Sequence, residues 1–240
     1  MIVRLLKHIL PDRPCLTKVL RGPFRGARVF MNPRNSLRKV LGIYEHELNG
    51  WVEQALRRVQ RVLDVGANDG YFAFGCAAAF TRMGIQGEIF AYEPQEVHLK
   101  TLRESLSSQR TTSVRITLVP AFAGAGDNNV DTVALDSSEA PDRNRTLIKI
   151  DVEGAELDVI AGAHSWLNPT NLFLIEVHSG EFIAPITETF LQHGIRLRRI
   201  DQQPYPILGR EERDESNWWL VSELSPVDDT SLGPDATKST

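Results

Sequence analysis

Apolar positions along residues 61–222 alternate between two spacings. Short, nearly continuous apolar runs recur at RVLDVG (61–66), GEIFAYEP (87–94), VRITLVPA (114–121), TLIKID (146–151) and LFLIEVHS (172–179). Runs of this length, rich in Val, Ile and Leu, read as strands buried on both faces. Helical stretches separate them. YFAFGCAAAFTRM (71–83) is apolar almost throughout, whereas QEVHLKTLRESLSSQ (95–109) is amphipathic, with Val97, Leu99, Leu102 and Leu106 on its apolar side. Further helices are predicted over about 154–167 and over 182–193. IRLRRID (195–201) and SNWWLVSE (216–223) read as two closing strands with no helix between them, hence an antiparallel hairpin at the sheet edge. Trp218 and Trp219 then fall on an edge strand, as core residues rather than a stacking platform. Strands alternating with helices predict an α/β fold: a doubly wound, mostly parallel sheet covered on both faces.

Three divisions follow. Residues 1–50 precede the alternation and read as a basic accessory segment, 51–222 as the main domain, and 223–240 as a disordered polar tail with few large apolar residues. The net charge of −4 conceals an asymmetry: residues 1–40 carry ten Lys and Arg against Asp12 alone, leaving the remainder strongly acidic. An acidic body argues against a broad nucleic-acid-binding face, which needs clustered cations. IVRLLKHIL (2–10) is an apolar stripe with basic residues, stopped by Pro11. It is about half the ~20 residues needed to cross a bilayer, so no transmembrane span is expected. It fits a helix packed on the domain, or alternatively one in peripheral contact with a membrane. Cys15 and Cys76 lack metal-ligand spacing, and Cys76 sits among alanines as a small buried thiol would. A reducing, cytoplasmic setting is the simple expectation.

Candidate chemistry starts at the first strand–helix turn, VLDVGANDGYF. Gly66 and Gly70 let the backbone turn tightly and a ligand approach it. The spacing G-A-N-D-G, with Asn68 at its middle, differs from the dinucleotide pattern G-x-G-x-x-G. Asp64, two residues before Gly66, would repel a pyrophosphate but accept an ammonium group. Glu93 ends the second strand, the position that takes both hydroxyls of a ribose in nucleotide-binding α/β folds. Together these features describe a ligand with an amino-acid end and an unphosphorylated ribose. S-adenosyl-L-methionine has both.

A second cluster follows the fourth strand in LIKIDVEGAELD: Asp151, Glu153, Glu156 and Asp158. Asp151 ends that strand, and Glu176 and His178 end the fifth. Ligands of open α/β sheets sit beyond such strand ends. Asp151 is the first candidate for a general base and His178 the second. Glu153 and Glu156 begin a helix, where acids are favoured by the dipole alone, and Asp158 reads as solvated. Lys149, inside an apolar strand, is expected to pair with an acid outside the site. No metal is expected; the alternative is a cation held by Asp151, Glu176 and His178.

The runs VLDVGANDGYF, FAYEP, TVALD, LIKIDVEGAELDVIAGA and LIEVH resemble the FkbM-type methyltransferases over roughly residues 43–222, with KIDVEGAE and IEVH the specific part. The resemblance implies the class I, seven-stranded Rossmann-like fold. It also implies use of S-adenosyl-L-methionine and methylation of a hydroxyl on a small-molecule or saccharide acceptor. It carries Asp64, Gly66, Asn68, Gly70 and Glu93 over as cofactor positions, and Asp151, Glu153 and His178 as acceptor-side positions. The segment 121–145 is shorter than is usual in that family, and Ala121 to Gly124 offer backbone and apolar contacts rather than an acid to the adenine. That shortness motivates one rival, a non-catalytic S-adenosylmethionine-fold binding or assembly protein. A nicotinamide-dependent dehydrogenase is a second; Glu93 fits it, but Asp64 and Asn68 do not.

Overall fold

The computed structural model describes residues 10–109, 113–126, 131–138, 142–203, 205 and 218–224. The helix expected over 2–10 and most of the polar tail lie outside the described residues.

The chain enters through a small antiparallel pair, β1 (Cys15–Lys18) and β2 (Arg28–Met31), then two helices, α1 (Leu37–Leu41) and α2 (Asn49–Leu56). The alternation predicted from residue 61 follows: β3 (Arg61–Val65), α3 (Tyr71–Met83), β4 (Gly87–Tyr92), α4 (Glu96–Ser107) and β5 (Val114–Val119). A two-residue parallel pair, β6 (Phe122–Ala123) with β7 (Thr132–Val133), gives the segment 121–145 some structure of its own. Then come β8 (Thr146–Ile150), α5 (Glu156–Ala161), β9 (Leu172–Val177), α6 (Gly180–Gln192), β10 (Leu197–Ile200) and β11 (Trp218–Ser222).

The main sheet has seven strands in the order β10-β11-β9-β8-β3-β4-β5. β9, β8, β3, β4 and β5 run parallel, while β11 is antiparallel to both β9 and β10. This is the class I methyltransferase arrangement. Strand order reverses at β3: the chain steps outward to β5, then returns to lay β8 on the other side of β3. That switch point opens a crevice at the carboxyl ends of β3 and β8.

Parallel strands covered on both faces must be apolar on both, and β8 shows how. Leu147 joins the core beneath α2, α3 and α4, while Ile148 and Ile150 join the core beneath α5 and α6. Val62 and Leu63 of β3 divide the same way. The first core centres on Phe74 and Phe80, the second on Trp166, Phe173 and Phe190, all fully buried. The accessory segment shares the first core through Val19, Phe24, Val29 and Met31, and α2 runs across the expected boundary at residues 50–51.

Three local expectations need correction. Val97 is 67% exposed; α4 buries Leu99, Leu102 and Ser105 instead, and the Ser105 hydroxyl accepts the Phe30 N–H at 2.8 Å. The helix expected over 154–167 is a six-residue α5 followed by a short 3-10 turn at His164–Trp166. The Gly162 carbonyl is taken by the Asp136 N–H at 2.9 Å, so the 131–138 segment intercepts the helix end. Finally, β11 is no edge strand: it lies between β9 and β10, and Trp219 is fully buried.

Candidate active site

A cavity of about 280 Å³ opens at the carboxyl ends of β3, β4 and β8. Gly66, Asn68, Glu93, Phe122, Asp151 and Glu153 are among its walls. A larger cavity, about 620 Å³, lies at the opposite, amino ends of the strands, lined by Arg61, Glu88, Arg115 and Asp142. Two of its arginines, Arg61 and Arg115, are already paired with Glu88. The topology favours the smaller cavity, since α/β sheets hold ligands at carboxyl ends.

The glycine turn forms the first wall. Gly66 has φ +81°, and a Cβ there would lie 1.9 Å from the Asp151 carbonyl oxygen. Only a glycine lets β3 and β8 end side by side at this point. The Gly66 and Ala67 N–H groups both donate to the Tyr92 carbonyl, tying the turn to β4. Asn68 takes the left-handed conformation at φ +49°, which Asn tolerates better than most residues. Its N–H donates to Glu93 Oε2 at 2.8 Å, and the Gln95 N–H donates to Glu93 Oε1 at 2.9 Å. Glu93 is therefore fixed on both oxygens by backbone donors and still lines the cavity. Carboxylate oxygens keep lone pairs beyond one bond each, so both can accept from a diol.

Gly70 is built differently. It caps α3 at φ +82°, and a Cβ there would meet Leu102 and Phe74 at 2.6 Å. It is not among the residues lining the cavity. The start of α3 is partly served by the chain itself, since Asp69 Oδ1 accepts the Tyr71 N–H at 3.1 Å. Asp69 Oδ2 holds Lys39 Nζ at 2.6 Å, and that ammonium also lies over the Tyr44 ring, 5.0 Å from its centroid. The accessory segment is thereby latched to the glycine turn. Sequence reading missed both Asp69 and Lys39; an Asp two residues before a helix start is the signal for the first.

Beneath the turn lies a buried charge group. Parallel register sets Asp64 of β3 opposite Lys149 of β8, on the same face. Lys149 Nζ lies 3.4 Å from Asp64 Oδ1 and 2.9 Å from Asp151 Oδ2, and it donates to the Gly66 carbonyl at 3.4 Å. Lys149 thus pairs with an acid, as its setting predicted, but directly under the site rather than outside it. Asp64 is fully buried and does not line the cavity; the ammonium it faces is the protein's own. Burial pushes its pKa up to about 6, against the pull of Lys149. For Asp151 burial works upward too, yet Lys149, then Glu176 and His178, hold the carboxyl below the usual range.

The histidine stands behind the second wall, next to Glu153, and is not among the residues lining the cavity. His178 Nδ1 lies 2.5 Å from Glu156 Oε1, and Nε2 lies 3.7 Å from Glu153 Oε2. The bond to Glu156 raises the His178 pKa; burial opposes this, while Glu176, Glu156 and Asp151 add to the rise. Glu153 projects outward at the cavity rim, its side chain 94% exposed. Glu156 is fully buried, which the reading of it as a dipole-favoured helix start did not anticipate. Asp158 is exposed. One atom each of Asp151, Glu176 and His178 lie within 4.8 Å of one another, close enough to share a cation. The Lys149 ammonium, bonded to Asp151, competes for that oxygen.

With this geometry in view, comparison with known proteins is specific. Residues 108–197 match the methyltransferase FkbM domain. The FkbM match takes in β8, the Asp151 cluster, β9 and His178, whereas the glycine turn and Glu93 precede it. Hexuronic acid methyltransferase AglP of Haloferax volcanii is 24% identical in a 177-position alignment that covers 63% of this chain and 70% of that protein. The crystal structure of methyltransferase FkbM from Methylobacillus flagellatus KT superposes with a TM-score of 0.55 at 21% identity. The alignment covers 69% of this chain and 44% of that one, so the chain spans under half the length of that relative. The shared fold is that of class I methyltransferases. Among the described residues, no helix is long and apolar enough to cross a membrane.

Proposed function

We propose that the chain is an S-adenosyl-L-methionine-dependent methyltransferase acting on a hydroxyl oxygen of a small-molecule or saccharide acceptor. One observation carries the reading. Gly66, Glu93 and Asp151 converge on a single cavity at the switch point of a class I sheet. The residues present fit the cofactor. Gly66 lets the turn pack against the Asp151 backbone while still lining the cavity, and Glu93 is held with lone pairs to spare for a ribose diol. The cavity's 280 Å³ lies just under the ~300–1,000 Å³ of ordinary ligand sites.

When bound, the cofactor supplies an activated methyl group on a sulfonium. Glu93 would orient the ribose, and Gly66 and Asn68, which line the cavity, would pack against the methionine end. Phe122, 56% exposed on β6, offers an apolar face at the rim for the adenine. Asp64 and Lys149 stiffen the turn from below and set the charge of the floor. Asp151, Glu153 and His178 face the acceptor side, where an attacking hydroxyl needs a proton acceptor. Asp151, held low by Lys149, is the weaker base of the pair and suits hydrogen bonding to sugar hydroxyls.

The AglP relative favours a uronic acid among saccharide acceptors. The test is incubation with methyl-labelled cofactor and either glucuronic acid or glucose. The proposal expects label in an alkali-stable methyl ether. Label released by mild alkali would indicate carboxyl esterification and refute the hydroxyl assignment.

A further inference from the structure

Glu156 is the one fully buried carboxylate of the acceptor wall. α5 has six residues, too few for a dipole to hold such a charge in the interior. Burying a carboxylate costs several kcal/mol unless it is paired. Its Oε1 takes the Gly154 N–H at 3.3 Å and lies 2.5 Å from His178 Nδ1; its Oε2 has no hydrogen-bond partner among the described residues. The imidazole is therefore the hydrogen-bond partner that makes this burial tolerable.

We propose that Glu156 is a positioning residue for His178: its buried carboxylate accepts a hydrogen bond from Nδ1–H and so leaves Nε2 as the atom that receives the acceptor hydroxyl's proton. The inference rests on the methyl-transfer reading above. A carboxylate accepts hydrogen bonds and does not donate them, so in the neutral imidazole the proton sits on Nδ1 and the lone pair on Nε2. Nε2 looks toward Glu153 at the cavity rim. The hydroxyl proton passes to Nε2, neutral imidazole becomes imidazolium, and the Nδ1–H stays hydrogen-bonded to Glu156. The charged groups around the ring are Glu153 and Glu156 from the α5 end, Asp151 from β8 with Lys149 behind it, and Glu176 from β9 itself. All those facing the ring directly are acids, so Glu156 tunes the ring within an acidic surround.

The experiment uses the full chain with ¹⁵N-imidazole-labelled histidine, with His178→Gln to assign the signal. Long-range ¹H–¹⁵N spectra are recorded across pH. In the unsubstituted protein, His178 titrates above 6.5, the ordinary histidine value, and its neutral form carries the proton on Nδ1. In Glu156→Gln the midpoint falls toward 6.5, and Glu156→Asp restores part of the rise. A proton on Nε2 in the neutral form, or a midpoint at or below 6.5, overturns the inference without any variant needing to fold. So does an unchanged midpoint in a folded Glu156→Gln protein.

Methyl transfer to glucuronic acid supplies the kinetic arm. The rising limb of the kcat–pH profile moves to lower pH in Glu156→Gln. The plateau kcat drops by at least about tenfold while KM holds. An unmoved limb, or a loss confined to KM, overturns the positioning role. Intact S-adenosylhomocysteine binding alongside absent turnover would count against the proposed acceptor class, while the titration still decides the Glu156–His178 pair.

Discussion

Lys149 sets the electrostatics of the crevice. One ammonium bridges Asp64 and Asp151 and donates to the Gly66 carbonyl. Lys149→Met would leave Asp64 buried without a counter-charge, a change expected to cost about 3–5 kcal/mol. Thermal denaturation checks it: the loss should shrink at low pH, where Asp64 is protonated. His178 gives a second pH signature. Its native pKa lies above the unfolded value of about 6.5, so the stability it contributes is full below that pH and is lost as pH rises through the native pKa. Denaturant melts of the unsubstituted protein and His178→Gln should differ most at acidic pH and converge in alkali. At Gly66 the constraint is steric. Gly66→Ala meets both a positive φ and a carbonyl oxygen at 1.9 Å, and is expected to cost about 2 kcal/mol or more in a thermal melt.

The elements place these residues through register. Asp64 and Lys149 each stand one residue before the end of adjacent parallel strands, so ending those strands together sets the two side chains opposite each other. Only the pairing of Lys149 with an acid was legible in the sequence; which acid, and its place under the site, follow from the register. The pairing of Glu156 with His178 was not legible, since it joins α5 to the end of β9 across 22 positions with no local pattern to announce it. Nor was the early end of α5, which depends on a hydrogen bond from the 131–138 segment. β11 was recognised as a strand but not as an interior one, because periodicity says nothing of sheet order. Its place is fixed partly by Trp51 of α2, whose indole N–H donates to the Ser222 carbonyl at 2.9 Å. Trp51→Phe removes that buried donor and is expected to lower stability by about 1–3 kcal/mol. The measurement is a shift of denaturation midpoint at unchanged slope.

At the scale of the whole molecule, the doubly wound sheet and its switch point follow from strand–helix alternation, and two strand-end acids, Glu93 and Asp151, meet in one cavity there. The pair of Glu156 and His178 does not follow in this way, because it joins a short helix to a separate strand end. The accessory segment is part of the same body: Phe24 packs edge-on against Tyr71 and Phe72, and Lys39 clamps Asp69 beside the glycine turn. Lys39→Ala is therefore expected to weaken cofactor binding several-fold with little loss of fold, as read by calorimetry. The central claim is that the Gly66–Glu93 cavity seats S-adenosylmethionine, and titration calorimetry of the full chain with S-adenosylhomocysteine tests it most directly. The account predicts saturable one-to-one binding, weakened about tenfold or more by Glu93→Gln. A folded protein that gives no binding heat at any temperature tried, or one whose affinity ignores Glu93→Gln, would contradict it.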